Sequence, residues 1–346
     1  MSAADLQIRP YRPGDEAGIL ALFNSVFAED DPGYHARAAA AWRWEFLENP
    51  AGTQVVLGVE PGGRIVAQYA CLPARVNLRG RDVCCGQGVD SVVAEEYRRG
   101  LRKDGAFLRT ARFYFEHFGR PEHNAFGYGF PNTQAYRVGV KLLGYTPVHA
   151  PLITCARNLF DTTDDAMVGR GARQAGRIVE LPAFDARVDR LWARLAPELP
   201  MAIRRDATYL GWRYTANPSA DYTVFGLTAG GEGEPGGDEL EALAVLRPDW
   251  TGPPILAVCE WMLGRDDEAA AARLMAHVVA HARASGQQRV ELWLPPWHPQ
   301  RAALEARGFL TEPSPCNLCI VIYEPDLDLE WVRSNWYFTI GDSDIF

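Results

Sequence analysis

Apolar side chains recur along the chain at two periods, and the alternation of those periods predicts the elements. Residues 7–12 read as a short strand, and residues 16–27 (EAGILALFNSVF) carry apolar positions at helical spacing. A second helix is predicted over 35–47 and stops at Asn49-Pro50, because proline cannot continue it. Strand-like runs follow at 53–60, 64–78 and 82–93, with Gly62-Gly63 and Arg79-Gly80-Arg81-Asp82 marking the turns of two hairpins. Residues 106–118 put Phe107, Leu108, Ala111, Tyr114, Phe115 and Phe118 on one broad helical face. A strand at 125–130, a helix at 132–143 and a strand at 148–156 complete the first half.

From residue 177 the same order returns. A strand at 177–183 precedes helices at 185–195 and 206–216, then strands at 221–228, 240–246 and 254–263. A helix at 267–284, a strand at 289–295, a helix at 299–307 and a strand at 317–323 follow. Two anchors share nearly one offset. Trp44 precedes Asn49-Pro50 as Trp212 precedes Asn217-Pro218, 168 residues on, and Gly144-Tyr145 is echoed by Gly308-Phe309, 164 residues on. The pattern predicts a tandem duplication of one α/β unit, with units at 1–160 and 177–346 and the polar, Gly-rich segment 161–176 as linker. Residues 230–239 (GGEGEPGGDE) predict a mobile hairpin loop in the second unit, and the aromatic and then acidic tail from residue 330 predicts a docked terminal strand.

Length and composition fit this picture. A chain of 346 residues suits two domains of ordinary size, and 47% hydrophobic with 23% charged residues is a globular composition. A net charge of −9 and the lack of a basic stripe with interleaved aromatics argue against nucleic acid. No apolar run approaches the roughly 18 residues of a membrane span, and the N-terminus shows no apolar signal core, so the expectation is a cytoplasmic protein. Seven cysteines, mostly in apolar runs, suit a reducing compartment. Cys316 and Cys319 form a lone CxxC read as strand residues, and His277 and His281, without an HExxH glutamate, read as packing residues; no metal is expected.

Candidate chemistry sits at residues 89–111, VDSVVAEEYRRGLRKDGAFLRTA. A strand runs into a loop with Arg98, Arg99, Gly100, Arg102, Lys103 and Gly105, then into a helix. A helix start offers free N–H groups and the positive dipole end, and glycine lets backbone approach an anion. The loop suits a phosphate or pyrophosphate; a solvated basic loop is the bland alternative. The order strand, Arg102-x-x-Gly105, helix, strand, then Asn132-x-x-Ala135 and a helix ending in Gly144-Tyr145 resembles the GNAT superfamily of acyl-CoA-dependent N-acyltransferases. Arg102-Lys103-Asp104-Gly105-Ala106 matches the first five positions of that family's R/Q-x-x-G-x-G/A loop, with Phe107 where a small residue is usual. Residues 8–27 resemble its opening strand and helix, and residues 129–145 its later coenzyme-A-contacting helix. The resemblance covers the first half well and the second in outline.

That resemblance implies two tandem α/β units, each a mixed, mostly antiparallel twisted sheet with helices on both faces. It implies an N-acyltransferase that moves an acyl group, acetyl first, from coenzyme A to a small-molecule primary amine by direct attack. Coenzyme A would lie against Arg98, Arg99, Gly100, Arg102, Lys103, Asp104, Gly105, Ala106 and Asn132, and the backbone of Val92 and Val93 would hold the acyl carbonyl where the fourth and fifth strands splay. Asp90, Glu95, Glu96 and His123 are the candidate bases, Asp90 first because its strand is apolar and Gly-rich. The family often has a tyrosine four residues before the Gly-aromatic pair, as the acid for the thiolate; here Val140 and Leu304 occupy those positions, leaving Tyr136, one turn earlier, or water. In the second unit Gly264-Arg265 is followed by Asp266, Asp267 and Glu268, which repel a pyrophosphate and cap the helix instead. That unit is expected to buttress the first and shape the amine pocket, with Trp44 and Asp342, beside Asp344, as acceptor contacts. An acyl-carrier-protein donor and a non-catalytic acyl-CoA-binding protein are the alternatives, and the assembly is expected to be a monomer or a homodimer.

Overall fold

The computed structural model describes residues 3–30, 33–98, 105–149, 152–159, 176–230, 236–249, 252, 254–314 and 316–344. Residues 160–175, all of the predicted linker but Gly176, and the loop tip at 231–235 lie outside them. The first half runs β1 (Gln7–Pro10), α1 (Glu16–Asp30), α2 (Ala39–Phe46), β2 (Gln54–Val59), β3 (Ile65–Leu78), β4 (Arg81–Val93), α3 (Ala106–Phe118), β5 (Phe126–Gly129), α4 (Thr133–Leu142), β6 (Thr146–His149) and β7 (Ile153–Asn158). The second runs β8 (Ile178–Glu180), α5 (Ala186–Leu195), β9 (Met201–Ile203), α6 (Ala207–Leu210), β10 (Thr223–Thr228), β11 (Leu240–Arg247), β12 (Ile255–Met262), α7 (Glu268–Ala284), β13 (Arg289–Trp293), α8 (Gln300–Glu305), β14 (Leu310–Pro313) and β15 (Leu318–Ile322), then α9 (Leu329–Asn335) and β16 (Trp336–Tyr337). Apart from β9 and the tail, the two halves share one element order.

The sheets do not respect the order of the chain. One sheet runs β1-β2-β3-β4-β5-β15-β6, with β9 and β16 attached beside β3; the other runs β14-β7-β13-β12-β11-β10-β8. The last strand of each half is therefore exchanged. β15 of the second half pairs antiparallel with β5 and β6 of the first, and β7 of the first pairs antiparallel with β13 and β14 of the second. The run expected as one strand over 148–156 is thus two strands in different sheets. Between them, residues 150–151 lie outside the described residues. Both exchanged strands are central, where the apolar runs of Leu318–Ile322 and Cys155–Ala156 are covered on each side. One hydrophobic cluster accordingly joins Val76, Phe126 and Tyr128 to Trp261, Leu292 and Trp336.

Local chemistry explains the other departures. The helix expected over 206–216 is α6, capped by the Asp206 side chain on Tyr209 N, followed by a π turn over Gly211–Thr215. The wider turn buries Trp212, Arg213 and Tyr214 together. The tail opens as a helix, because Asp328 caps α9 by accepting from Trp331 N, and only then docks as the two-residue strand β16 beside β9. The repeated aromatic phrase has a structural purpose. Trp44 Nε1 donates to Trp212 O at 2.7 Å, and Trp212 Nε1 donates to Trp44 O at 2.9 Å. The two rings stack 5.5 Å apart, so equivalent residues of the two halves meet across a local two-fold. Trp44, expected as an acceptor contact, is 6% exposed with its one donor already used, so it offers nothing to a ligand.

Candidate active site

The parting of β4 and β5 is the feature that could hold a reactant. Their parallel pairing covers only Cys85–Phe126, Gly86–Gly127 and Gln87–Tyr128, yet β4 runs on to Val93. Gly129 of β5 still lies against Gly88, and from Val89 to Val93 the β5-facing edge of β4 pairs with no strand among the described residues. On its other edge β4 bulges, since Gln68 faces Val92 while Ala70 faces Val89. Asp90 sits in that bulge at φ +47°, a conformation costly for a residue with a side chain. Alternation would send residue 90 to the α3 side with Gly86 and Gly88. The bulge turns its carboxylate to the α2 side instead.

On that α2 side Asp90 meets Arg37, which also pairs with Glu45 of α2. The guanidinium lies over the rings of Phe23 and Phe46, at 5.0 and 5.7 Å. Burial raises the Asp90 pKa, and Arg37 opposes the rise. The chain tail arrives on the same side. Arg213 holds it by donating to Ser343 O at 2.6 Å, Tyr128 OH donates to Asp342 O at 3.0 Å, and Gln87 Nε2 donates to Asp344 Oδ1 at 3.1 Å. Desolvation by the surrounding protein pushes Asp344 up to about 6, with the charge of Asp90 adding to the rise and Arg213 and Gln87 opposing it. Asp344 keeps open contact with solvent, which moderates that rise.

The α3 side is different. Gly86, Gly88 and Gly127 leave a cavity of about 10 Å³, the room of one water, ringed by Tyr69, Tyr114, Tyr145 and Tyr323. The Tyr145 ring packs on Gly139 of α4, where a Cβ would lie 2.2 Å from it, and its hydroxyl bonds that of Tyr69 at 2.9 Å. A Cβ at Gly88 would be 3.7 Å from the Tyr145 hydroxyl. Burial raises the Tyr145 pKa, so the phenol stays protonated. A glycine inside a helix, costing about 1 kcal/mol against alanine, was the signal for this seat. Tyr136 is half-buried on α4, and Val140 is 41% exposed.

The remaining candidates fall as follows. Val92 and Val93 lie on the unaccompanied stretch of β4 with buried side chains. Arg98 folds back, donating Nε to Val93 O at 2.7 Å and pairing with Glu29 at 3.7 Å. Arg99, Gly100, Arg102, Lys103 and Asp104 lie outside the described residues; Gly105 is the N-cap of α3, and Ala106 its buried first residue. Asn132 Oδ1 accepts from Ala135 N at the start of α4. Glu95 is exposed on a 3-10 turn after β4, Glu96 there pairs with Arg64, and His123 is exposed before β5, at the end away from the gap. Asp342 is not available to a cationic acceptor. It is 1% exposed and bidentate to Arg205 at 2.7 and 2.9 Å, and Arg205 also binds Glu260 at 2.6 Å.

The equivalent place in the second half is occupied by the chain itself. β12 pairs with β13 only from Ile255 to Val258, and past that point Tyr337 OH donates to Trp261 O. A Cβ at Gly341 would strike Cys259 O at 2.7 Å and Glu260 Oε1 at 2.6 Å. At the start of α7, Asp267 caps the helix by accepting from Ala270 N at 2.9 Å, as its sequence pattern predicts. His277 and His281 pack on Phe225, at 4.4 and 5.1 Å between rings.

A mixed sheet whose fourth and fifth strands part beyond a bulge gives the chain the fold of solved GNAT acyltransferases. Residues 7–105 match the family model described as an acetyltransferase (GNAT) domain. Among solved structures, a probable N-acyltransferase from Enterococcus faecalis is 13% identical, with a TM-score of 0.65 over 92% of this chain and 73% of that one. A GCN5-related N-acetyltransferase from Kribbella flavida is 15% identical, with a TM-score of 0.59 over 94% and 73%. An N-myristoyltransferase from Saccharomyces cerevisiae with bound myristoyl-CoA is 11% identical, with a TM-score of 0.56 over 93% and 79%. No curated protein matches the sequence. None of the described helices is long and apolar enough to cross a membrane.

Proposed function

We propose that the chain is an N-acyltransferase that moves an acyl group, acetyl first, from coenzyme A to a primary amine in the β4–β5 gap of the first half. The observation that carries this reading is the placement of two proton-handling groups on opposite faces of the gap: Asp344 beside Gln87 on one, Tyr145 over Gly88 on the other. The amine nitrogen attacks the thioester carbon from the Asp344 side, and its proton passes to that carboxylate. As the C–N bond forms the C–S bond breaks, and the departing thiolate takes the proton of the Tyr145 hydroxyl. Asp90, clamped by Arg37, contributes negative charge that raises the basicity of Asp344. The α3 start at Gly105 and Ala106 receives the pyrophosphate, together with the basic loop before it. The second half delivers Asp344 and has its own gap closed by Tyr337 and Gly341.

Amine-dependent thiol release from acetyl-CoA tests this. A base must be deprotonated to act, so the rate should rise as pH passes through about 6, then level. Asp344→Asn should remove that limb and about 10²-fold or more of the rate, and Tyr145→Phe should lower kcat while acetyl-CoA still raises Tm. An unchanged limb in Asp344→Asn would discard the assignment of the base. Turnover only from a carrier-bound donor, or stabilisation by acetyl-CoA without turnover on a broad amine panel, would replace the donor or the activity. Stabilisation by no coenzyme A ester would sink the reading.

A further inference from the structure

The α3 side of the gap contains a residue that the second half supplies. Tyr323 directly follows β15, the strand exchanged into the first sheet, and its N donates to Ala125 O at 3.0 Å just before β5. Its ring lies 6.3 Å from that of Phe115 of α3, and a Cβ at Gly127 would be 2.9 Å from its hydroxyl. That hydroxyl is enclosed and, among the described residues, has no hydrogen-bond partner. Tyr323 lines the one-water cavity together with Tyr69 and Tyr145. The other phenols there are engaged. Tyr114 OH donates to Gln54 Oε1 at 2.6 Å, and Tyr69 and Tyr145 share one hydrogen bond, which uses one proton of their two. Besides tyrosines, the ionisable groups round the cavity are the thiols of Cys71 and Cys319; among the described residues no carboxylate, histidine, lysine or arginine lines it.

A buried hydroxyl without a partner carries the full cost of its desolvation, and a space of this size with several polar groups round it is the usual seat of an internal water. Tyr145 has a further need. Burial raises its pKa, so it gives a proton to a thiolate reluctantly, and the phenolate it leaves must be held by donors. A phenol oxygen has two lone pairs, of which Tyr69 can fill one. We propose that Tyr323 is a positioning residue for the acyl transfer: it fixes one water in the cavity, and that water donates to the Tyr145 oxygen beside the bond from Tyr69. With both lone pairs filled, the single Tyr145 proton is left to face Gly88 and the departing sulfur. In the step the O–H bond of Tyr145 breaks and the S–H bond of coenzyme A forms. Tyr323 keeps its proton throughout, and the phenolate recovers its own from solvent once coenzyme A leaves. The inference rests on the reading of Tyr145 as the acid. It gives the exchange of β15 a catalytic consequence, since the second half then sets the proton donor on one face of the gap as it sets Asp344 on the other.

Steady-state kinetics of Tyr323→Phe, which deletes the hydroxyl and keeps the ring, test it. With acetyl-CoA its kcat should fall about tenfold or more, the kinetic worth of one hydrogen bond to a developing charge, while KM for donor and amine stays unchanged. A selenolate departs without needing a proton, so with the acetyl selenoester of coenzyme A as donor Tyr323→Phe should match the native rate. In a Tyr145→Phe background the same change should cost nothing more. A native kcat in Tyr323→Phe, a loss carried by KM, or an equal loss with the selenoester or in the Tyr145→Phe background would overturn the role of Tyr323 and leave Tyr145 in place. A native kcat in Tyr145→Phe, or no amine-dependent thiol release from the native chain, would remove the acid assignment and this inference with it. If Tyr323→Phe does not fold, Gly127→Ala, whose Cβ would lie 2.9 Å from the hydroxyl and displace it, should give the same three results.

Discussion

The reciprocal tryptophan pair joins the halves through two hydrogen bonds and a ring stack, so its energetics can be worked out before measurement. Trp44→Phe removes the donor to Trp212 O and leaves that buried carbonyl with one partner fewer, a loss of about 1–3 kcal/mol. Loss of the stack adds about 0.5–1.5 kcal/mol. Each single variant should therefore lose about 2–4 kcal/mol. Neither bond survives well alone, because each indole is held in place by the other's carbonyl. The double variant should accordingly lose less than the sum, with a coupling of about 1–2 kcal/mol, inside the range found for contacting residues. Urea unfolding followed by far-ultraviolet circular dichroism is the assay, since ten tryptophans make fluorescence ambiguous. Strictly additive losses, within about 0.3 kcal/mol, would refute the reasoning, as would two separate unfolding transitions in the native chain.

Two further predictions rest on the buried charges and the exchanged strands. Arg205→Met should cost about 3–5 kcal/mol, because it strands Glu260 and Asp342 together in the interior; adding Asp342→Asn should recover part of that loss in the same urea assay, and no recovery would count against the triad. Val321→Pro, in the second half of the sequence, should lower amide-exchange protection first in β5 and β6 of the first half; loss confined to β13 would contradict the exchange of β15.

Much of the fold could be read from periodicity. The helix at 106–118 and the strand-helix order of both halves follow from apolar spacing, and the repeated tryptophan phrase pointed to two stretches whose elements recur in one order. The strand exchange could not be read. β7 and β15 have interchangeable apolar patterns, and a pattern states that a strand is central without naming the sheet it enters. The π turn at Gly211 was hidden because its residues also suit an α-helix, and α9 because its aromatic content outweighed the capping Asp328. The site was legible in pieces. A Gly-rich strand carrying an acidic residue drew attention to Asp90 but not to its bulge, and Gly139 inside a helix, where the Tyr145 ring packs, went unread. What the pattern missed was the side Asp90 faces, which depends on the bulge, and the partner of Asp342, which lies 137 residues away.

The measurement that bears most directly on the account is amide hydrogen exchange with and without a non-hydrolysable acetyl-CoA analogue. Protection should appear along Gly88–Val93 of β4, at the start of α3 around Gly105 and Ala106, and nowhere at the start of α7. Protection of residues 264–270 with β4 and α3 unchanged would contradict the claim that the first half holds the donor and the second has closed its gap.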